Sequence, residues 1–78
     1  MQGKIVVFCN LLGVECGIGY INNDNPGTIY ILTSSILKGY SGNGVQTFDV
    51  KTRLATKEDF DAYNLHGYET YKKDFEIA

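Results

Sequence analysis

Apolar side chains first run together at residues 5–9, where Ile-Val-Val-Phe-Cys follows Lys4 without a charged residue. A short unbroken run of β-branched and aromatic residues is typical of a strand that is buried on both of its faces. Such a strand lies in the middle of a sheet. We therefore predict that residues 5–9 form the central strand around which the rest of the chain folds.

Residues 4–21 predict a β-hairpin with Leu-Leu-Gly-Val at its tip, because Gly13 can adopt the positive φ angle that a tight turn needs. A tip centred between residues 12 and 13 sets three cross-strand pairs: Cys9 with Cys16, Phe8 with Gly17, and Val6 with Gly19. This register decides which side chains share a face of the hairpin.

The two faces of the hairpin differ in content. One face is predicted to lie against the core, since its residues are mostly apolar: Ile5, Val7, Cys9, Cys16, Ile18 and Tyr20. The other sets Val6 and Phe8 across from glycines, which leave room for another element to approach closely. We expect the helix predicted below to cover this second face, because monomers seldom expose large apolar patches.

Two further strands follow along the chain. Residues 22–27 are all turn formers and predict a loop, after which residues 28–33 predict a third strand. Residues 45–54 alternate between apolar and polar side chains and predict a half-buried fourth strand, with Phe48, Val50 and Leu54 pointing inward. Residues 34–40 fit either one short helical turn or a continuation of the third strand through a bend.

A helix is predicted over residues 57–65. Thr56 lies three residues before Asp59, which suits a capping box, and Gly67 is placed to adopt a left-handed conformation beyond the helix end. Residues 68–78 carry an apolar pattern that fits a helix stripe or a strand, and we favour a last edge strand. The fold class predicted for the single domain 1–78 is α+β: a small antiparallel sheet of four or five strands with one helix packed on a face.

Composition narrows the classes of function. Seven basic and nine acidic residues give a net charge of −2, which disfavours a nucleic-acid binder, since such proteins present a basic patch. No stretch reaches the length of about 20 apolar residues that a membrane-spanning helix needs. The N-terminus lacks the pattern of a signal peptide, so we expect a cytoplasmic protein. In that compartment Cys9 and Cys16 are expected to be reduced, buried thiols, with a cross-strand disulfide as the alternative.

The sequence contains no motif that predicts catalysis, a metal or a cofactor. The two cysteines and His66 do not have the spacing of a zinc site. The glycine-rich stretches at 17–20 and 39–44 lack the Gly-Lys-Ser/Thr ending of a phosphate-binding loop, and Lys38 precedes the second one. His66 follows the predicted helix, and the helix dipole favours a partly charged imidazole at that end. We therefore expect a protein that is not an enzyme and needs neither a metal nor a cofactor.

The function that the sequence favours is binding to another protein, as an inhibitor or adaptor. Tyr40 and Tyr68 each follow a glycine in a predicted loop, where an exposed ring suits an interface. With Asn43 and His66 they form the predicted partner-binding set. The small size and the Asn-, Ile-, Tyr- and Lys-rich composition resemble those of proteins that viruses of low-GC bacteria encode to interfere with host machinery.

Three alternatives stay open at this point. A small ligand or nucleotide could bind the loop at 39–44 with Lys38. Single-stranded nucleic acid could stack on exposed tyrosines such as Tyr20 and Tyr30. Finally, an edge strand could pair with that of a second copy to give a homodimer.

Overall fold

The computed structural model describes residues 2–13, 16–33 and 44–78. In these residues the chain forms a small mixed fold of six strands and two α-helices. The strands are β1 (Gly3–Asn10), β2 (Cys16–Asn22), β3 (Asn25–Thr33), β4 (Gly44–Gln46), β5 (Val50–Leu54) and β6 (Phe75–Glu76). The helices are α1 (Lys57–Ala62) and α2 (Tyr68–Asp74), and a 3-10 turn (Thr47–Asp49) joins β4 to β5. The predicted sheet of four or five strands with one helix was therefore too small.

Strand β1 lies at the centre of the sheet, as predicted. It pairs with β2 on one side, while β5 and β6 share its other side. Its four central residues, Ile5, Val6, Val7 and Phe8, are at most 4% exposed. The sheet is antiparallel except for the short contact between β1 and β6, which is parallel.

The predicted hairpin register is also confirmed. Cys9 pairs with Cys16, Phe8 with Gly17 and Val6 with Gly19. A Cβ added at Gly19 would meet the carbonyl oxygen of Tyr30 and lie 2.8 Å from Cγ2 of Ile29. The glycine therefore makes room for the neighbouring strand β3.

The connection between β4 and β5 forces the sheet to curl. These strands end the order β4-β3-β2-β1-β5, yet only the 3-10 turn joins them. Four strand spacings in a flat sheet would separate them by about 19 Å, whereas the four Cα steps from Gln46 to Val50 span at most about 14 Å. Val45 and Val50 accordingly meet in one buried cluster with Val6, Phe8, Ile21 and Ile29.

The helices pack on the opposite face of the sheet from the one that we expected. Ile5, Val7 and Ile18 form a second cluster with Ala55 and with Phe60 of α1. The prediction that a helix covers Val6 and Phe8 is wrong, because the curled sheet encloses that face by itself. Both faces of β1 are thus buried, but by different means.

The single strand predicted over residues 45–54 is interrupted by the 3-10 turn. A turn of that kind breaks the period of two on which the inward placement of Phe48 was based. Val50 is buried and Leu54 half-buried, as the alternation predicts, whereas Phe48 is 77% exposed. The inward orientation predicted for Phe48 is therefore wrong.

The C-terminal segment is mainly helical, so the preference for an edge strand was wrong. Gly67, at φ 93°, precedes α2, and only Phe75–Glu76 continues as strand β6. Tyr68 and Tyr71 lie three residues apart on α2, and both rings contact Phe60. Helix α1 ends at Ala62 rather than near residue 65, since Asn64 adopts a positive φ of 54°.

The loop predicted at residues 22–27 is shorter than expected. Strands β2 and β3 run into it and leave a turn at Asn23 and Asp24, where the Asp24 amide donates a hydrogen bond of 3.0 Å to Oδ1 of Asn22. The alternatives predicted for residues 34–40, and the predicted loop up to residue 43, lie outside the described residues.

Candidate functional site

The tip of the β1–β2 hairpin is held by a disulfide bond and a tight turn. Cys9 and Cys16 are bonded, with their Cα atoms 4.0 Å apart. Beyond them the Gly13 amide donates a hydrogen bond of 2.8 Å to the Asn10 carbonyl, and Gly13 has the positive φ that was predicted, at 75°. The favoured prediction of two reduced thiols is wrong, because the cross-strand register brings the two cysteines directly opposite each other.

Two large apolar side chains project from this tip. Leu11 is 60% exposed and Leu12 is 84% exposed. Turns normally carry Gly, Asn, Asp, Ser or Pro, and these satisfy the backbone without presenting apolar area to water. Two adjacent leucines at this position therefore contribute little to the core of the fold.

Phe48 lies at the same end of the sheet. Asn10 and Val50 are the last paired residues of β1 and β5; along the chain, Leu12 follows Asn10 by two residues and Phe48 precedes Val50 by two. Among the described residues, Leu11, Leu12 and Phe48 are the large apolar side chains that are mostly exposed. We call these three residues the tip patch. Their grouping at one end distinguishes them from the isolated exposed apolar residues that are common on protein surfaces.

A shallow cleft of about 270 Å³ adjoins the tip patch, on the helix side of the sheet. Val7 and the disulfide-bonded Cys9 contribute to its lining, together with Gly13 of the tip. The rest of the lining comes from Lys51, Thr52 and Arg53, which are exposed residues of β5. The cleft therefore combines apolar groups with two basic side chains, and we call it the β5 cleft.

Arg53 connects the β5 cleft to the start of α1. Its guanidinium donates to both carboxylate oxygens of Asp59, at 2.6 and 2.9 Å. Asp59 also completes the predicted capping box, since its Oδ2 accepts from the Thr56 amide at 2.8 Å and its own amide donates to Thr56 Oγ1 at 3.2 Å. The capping box predicted from the sequence is confirmed, and the ion pair adds a link from β5 to the helix.

This arrangement perturbs the titration of three groups. The hydrogen bonds from Arg53, assisted by those from Thr56, lower the pKa of Asp59 to about 2, although partial burial opposes the shift. The hydrogen bond to Asp59 raises the pKa of Arg53 above its usual value. Burial, and secondly the Asp59 charge, raise the pKa of Tyr63. The pKa shifts of Asp59 and Arg53 arise from a helix cap and its ion pair, and the pKa shift of Tyr63 arises first from burial, so all three have structural causes.

The Asp59 shift predicts an acid-dependent loss of stability. Because the folded-state pKa lies below the ordinary value of 3.8, the stabilisation is complete above about pH 5 and is lost as the pH falls towards 2. We expect Asp59→Asn to lower the free energy of unfolding by about 1 kcal/mol at pH 7, a modest figure because Arg53 is largely exposed to solvent. In urea unfolding, the free energy of unfolding should differ less between the wild type and Asp59→Asn at pH 2.5 than at pH 7.

Asp61→Asn provides the matched control, since it removes an exposed acid from the same helix. It should leave the pH dependence of the wild type in place, because the pair of Arg53 and Asp59 is intact. An Asp59→Asn deficit that is equally large at pH 2.5 would contradict a charge-dependent role for Asp59.

Two of the four predicted partner-binding residues, His66 and Tyr68, lie in the part of the chain that the structure describes. Tyr40 and Asn43 lie outside the described residues. His66 is exposed in the segment between α1 and α2. Tyr68 was expected in an exposed loop, but it begins α2 and is half-buried, with its ring edge-on to Phe60 at 5.3 Å. Two lysine ammonium groups lie 5.9 and 5.7 Å from the centre of the same ring. These packing contacts account for the presence of a tyrosine at this position.

The alternatives based on other residues gain no support from their surroundings. The rings of Tyr20 and Tyr30 stack on each other at 5.0 Å and are half-buried, which is how paired core-flanking aromatics pack. The loop at 39–44 lies outside the described residues except for Gly44. The described part of the chain contains no group of three or more His, Cys, Asp or Glu side chains that could hold a metal ion. In the same residues, no helix combines the length and apolarity needed to span a membrane.

A second cleft of about 390 Å³ lies at the other end of β1, lined by polar side chains of Gln2, Asn22, Asn23 and Asp24. The turn satisfies part of this polarity itself, since Asn22 accepts from the Asp24 amide and the Asn23 amide donates to the Gln2 carbonyl. These hydrogen bonds explain the polar residues of this cleft as residues that stabilise the turn.

The sequence contained one signal for the tip patch that we did not use. Leu11 and Leu12 were placed at the predicted hairpin tip, where exposure follows directly from the geometry of a tight turn. Phe48 had no such signal, because its exposure depends on the 3-10 turn. Lys51 lies at a polar position in the alternating pattern of residues 45–54, and that pattern does not indicate that its strand ends the order of the sheet.

Comparisons with known proteins found no family model that matches the chain and no significant match among curated proteins or solved structures.

Proposed function

We propose that this protein is a non-enzymatic binding domain that docks onto another protein through the tip patch. The observation that carries the proposal is the exposure of Leu11, Leu12 and Phe48 at one end of the sheet. Burying a large apolar side chain contributes about 1.5–3 kcal/mol, so covering this patch would supply a substantial part of a binding free energy. An inhibitor or adaptor role fits such a surface, because it requires docking and no reaction site.

The way in which the fold presents the patch supports the same proposal. The disulfide bond holds the two strands together just before the tip, and Gly13 fixes the turn. A surface that is ordered before binding loses less conformational entropy when the complex forms. The neighbouring β5 cleft extends the patch towards the size of a stable interface, which buries at least about 1,200 Å² in total.

The experiment that tests the proposal compares capture of proteins from cell lysate by tagged variants. We expect Leu12→Ser with Phe48→Ser to reduce capture of a specific partner by about tenfold or more, the scale expected when interface anchors are removed. The melting temperature should hardly change, because both side chains are mostly exposed.

His66→Ala serves as the control, since His66 is exposed and belonged to the set predicted from the sequence. It should capture the same partner as the wild type. Loss of capture with His66→Ala but not with the double variant would contradict the proposal and favour the sequence-predicted set. A wild-type protein that self-associates in sedimentation, and a double variant that does not, would identify the patch as a homodimer interface instead.

A further inference from the structure

Strand β5 ends the five-strand order of the sheet and has β1 on one side only. The Ala55 amide donates to the Ile5 carbonyl at 2.9 Å. In an antiparallel pair, this hydrogen bond determines which residues of β5 direct their backbone groups towards β1. Backbone groups of Lys51 and Arg53 therefore point towards β1, whereas those of Thr52 point away from it. In the described part of the chain no strand pairs with this outer side, which we call the β5 edge.

From this edge we infer that the partner inserts an extended acidic segment, which adds to the sheet as a strand beside β5 and places alternate side chains next to Lys51 and Arg53. The inference rests on the proposed protein-binding function and specifies the chemistry of the partner. Strand addition uses backbone hydrogen bonds for affinity and alternate side chains for specificity.

The charges along the edge select an acidic occupant. Lys51 and Arg53 lie on one face of β5, across from Cys9 and Val7. Lys51 forms no ion pair with a described acid, and Arg53 is 58% exposed although it binds Asp59. Lys51, Arg53 and Asp59 together carry a charge of +1, although the net charge of the chain is −2. An added strand with acidic side chains at positions i and i+2 would face both basic groups.

The same charges disfavour a second copy as the occupant. If two β5 edges paired antiparallel about Thr52, Lys51 of each copy would lie opposite Arg53 of the other. Like charges directly opposite each other destabilise a strand pair. Basic residues on an edge strand are a common means of preventing self-association. The homodimer predicted through an edge strand is therefore not favoured at β5.

The tip patch specifies a third position of the segment. Cys9 and Val7 lie directly across from Lys51 and Arg53, and Gly13 lies beyond them, towards the tip. A side chain two residues further along the added strand would lie on the same face, level with the tip. The inferred recognition pattern is thus two alternating acids followed, towards the tip, by one apolar residue.

The probe for the test is the capped peptide Thr-Glu-Thr-Glu-Thr-Leu-Thr, titrated into the ¹⁵N-labelled protein and followed by NMR. We expect saturable shifts concentrated at residues 50–54 and at the tip. The same peptide with lysines in place of the glutamates should not bind. Methylating the peptide amide nitrogens that would donate to β5 should abolish binding, because strand addition requires their N–H groups. Shifts on the helices instead of β5, or no saturable binding, would overturn the inference.

Lys51→Glu should weaken peptide binding by about tenfold, because it replaces an attraction with a repulsion. Lys73→Glu makes the same charge change at an exposed position of α2 and should bind as the wild type does. Lys51→Gln, which only removes the charge, should give an intermediate loss and guards against a folding defect in Lys51→Glu. Equal binding by all three variants would overturn the inference.

The two proposals fail in different ways. If the tip variants lose the lysate partner but Lys51→Glu captures it normally and the peptide does not bind, the binding function stands and the acidic-segment inference is wrong. If the tip variants capture the partner normally, the tip-patch proposal is wrong.

Discussion

Phe60→Ala should lower the free energy of unfolding by about 3–5 kcal/mol, the cost typical of removing a large buried aromatic side chain. Phe60 is 1% exposed and belongs to α1, where it packs against the sheet and against α2. Its ring contacts Tyr68 edge-on at 5.3 Å and Tyr71 at 5.9 Å, and it belongs to the cluster that includes Ile5. Since the sheet below and α2 above both depend on this ring, little relaxation can fill the cavity.

Phe48→Ala is the matched control, because it makes the same substitution at a position that is 77% exposed. It should change stability by no more than about 0.5 kcal/mol, as is usual for surface positions. Urea unfolding of both variants provides the comparison. Should Phe60→Ala fail to fold, Phe60→Leu, with an expected cost of about 1.5 kcal/mol, keeps the comparison measurable. Equal effects of the two alanine substitutions would contradict the assignment of Phe60 to the core and Phe48 to the surface.

Removal of the disulfide bond should give the second large effect. Cys9 and Cys16 are seven positions apart, and closing a loop of this size in the unfolded chain corresponds to about 2.5 kcal/mol in the chain-entropy model. We expect the double variant Cys9→Ala, Cys16→Ala to lose about this amount. Urea unfolding of the oxidised wild type and of the double variant measures the difference.

The wild type treated with a reductant separates the crosslink from the packing of the sulfur atoms. Reduction should reproduce most of the loss seen in the double variant, while the reductant should not affect the variant itself. A native protein that reacts with a thiol reagent at both cysteines before reduction would contradict the bond. Unchanged stability after complete reduction would contradict its stabilising role.

The disulfide bond also bears on the expected location of the protein. Cys9 and Cys16 were expected to be reduced because the protein was predicted to be cytoplasmic, whereas disulfide bonds are typical of oxidising compartments. The disulfide bond therefore does not support that prediction. The bond has a second consequence for function, because it lies between the central strand and the tip patch and limits the motion of the surface that we propose binds a partner.

The features that could be predicted from the sequence depend on interactions between residues close in the chain. The central position of β1 follows from an apolar run without charges, and the hairpin register follows from a glycine at a short tip. The capping box at Thr56 and Asp59 requires only a three-residue spacing. In each case the physical cause is local: turn geometry, strand periodicity or the unsatisfied amides of a helix end.

Only the tertiary structure decided the exposure of Phe48, the face that the helices cover and the position of β5 at the end of the strand order. Each depends on the curl of the sheet, in which a three-residue turn draws β4 and β5 towards each other. Curvature of a sheet is a collective property of all its strands, so no window of the sequence contains it. The residues of the candidate site were therefore visible in the sequence one by one, while their grouping at one end of the sheet was determined by the fold.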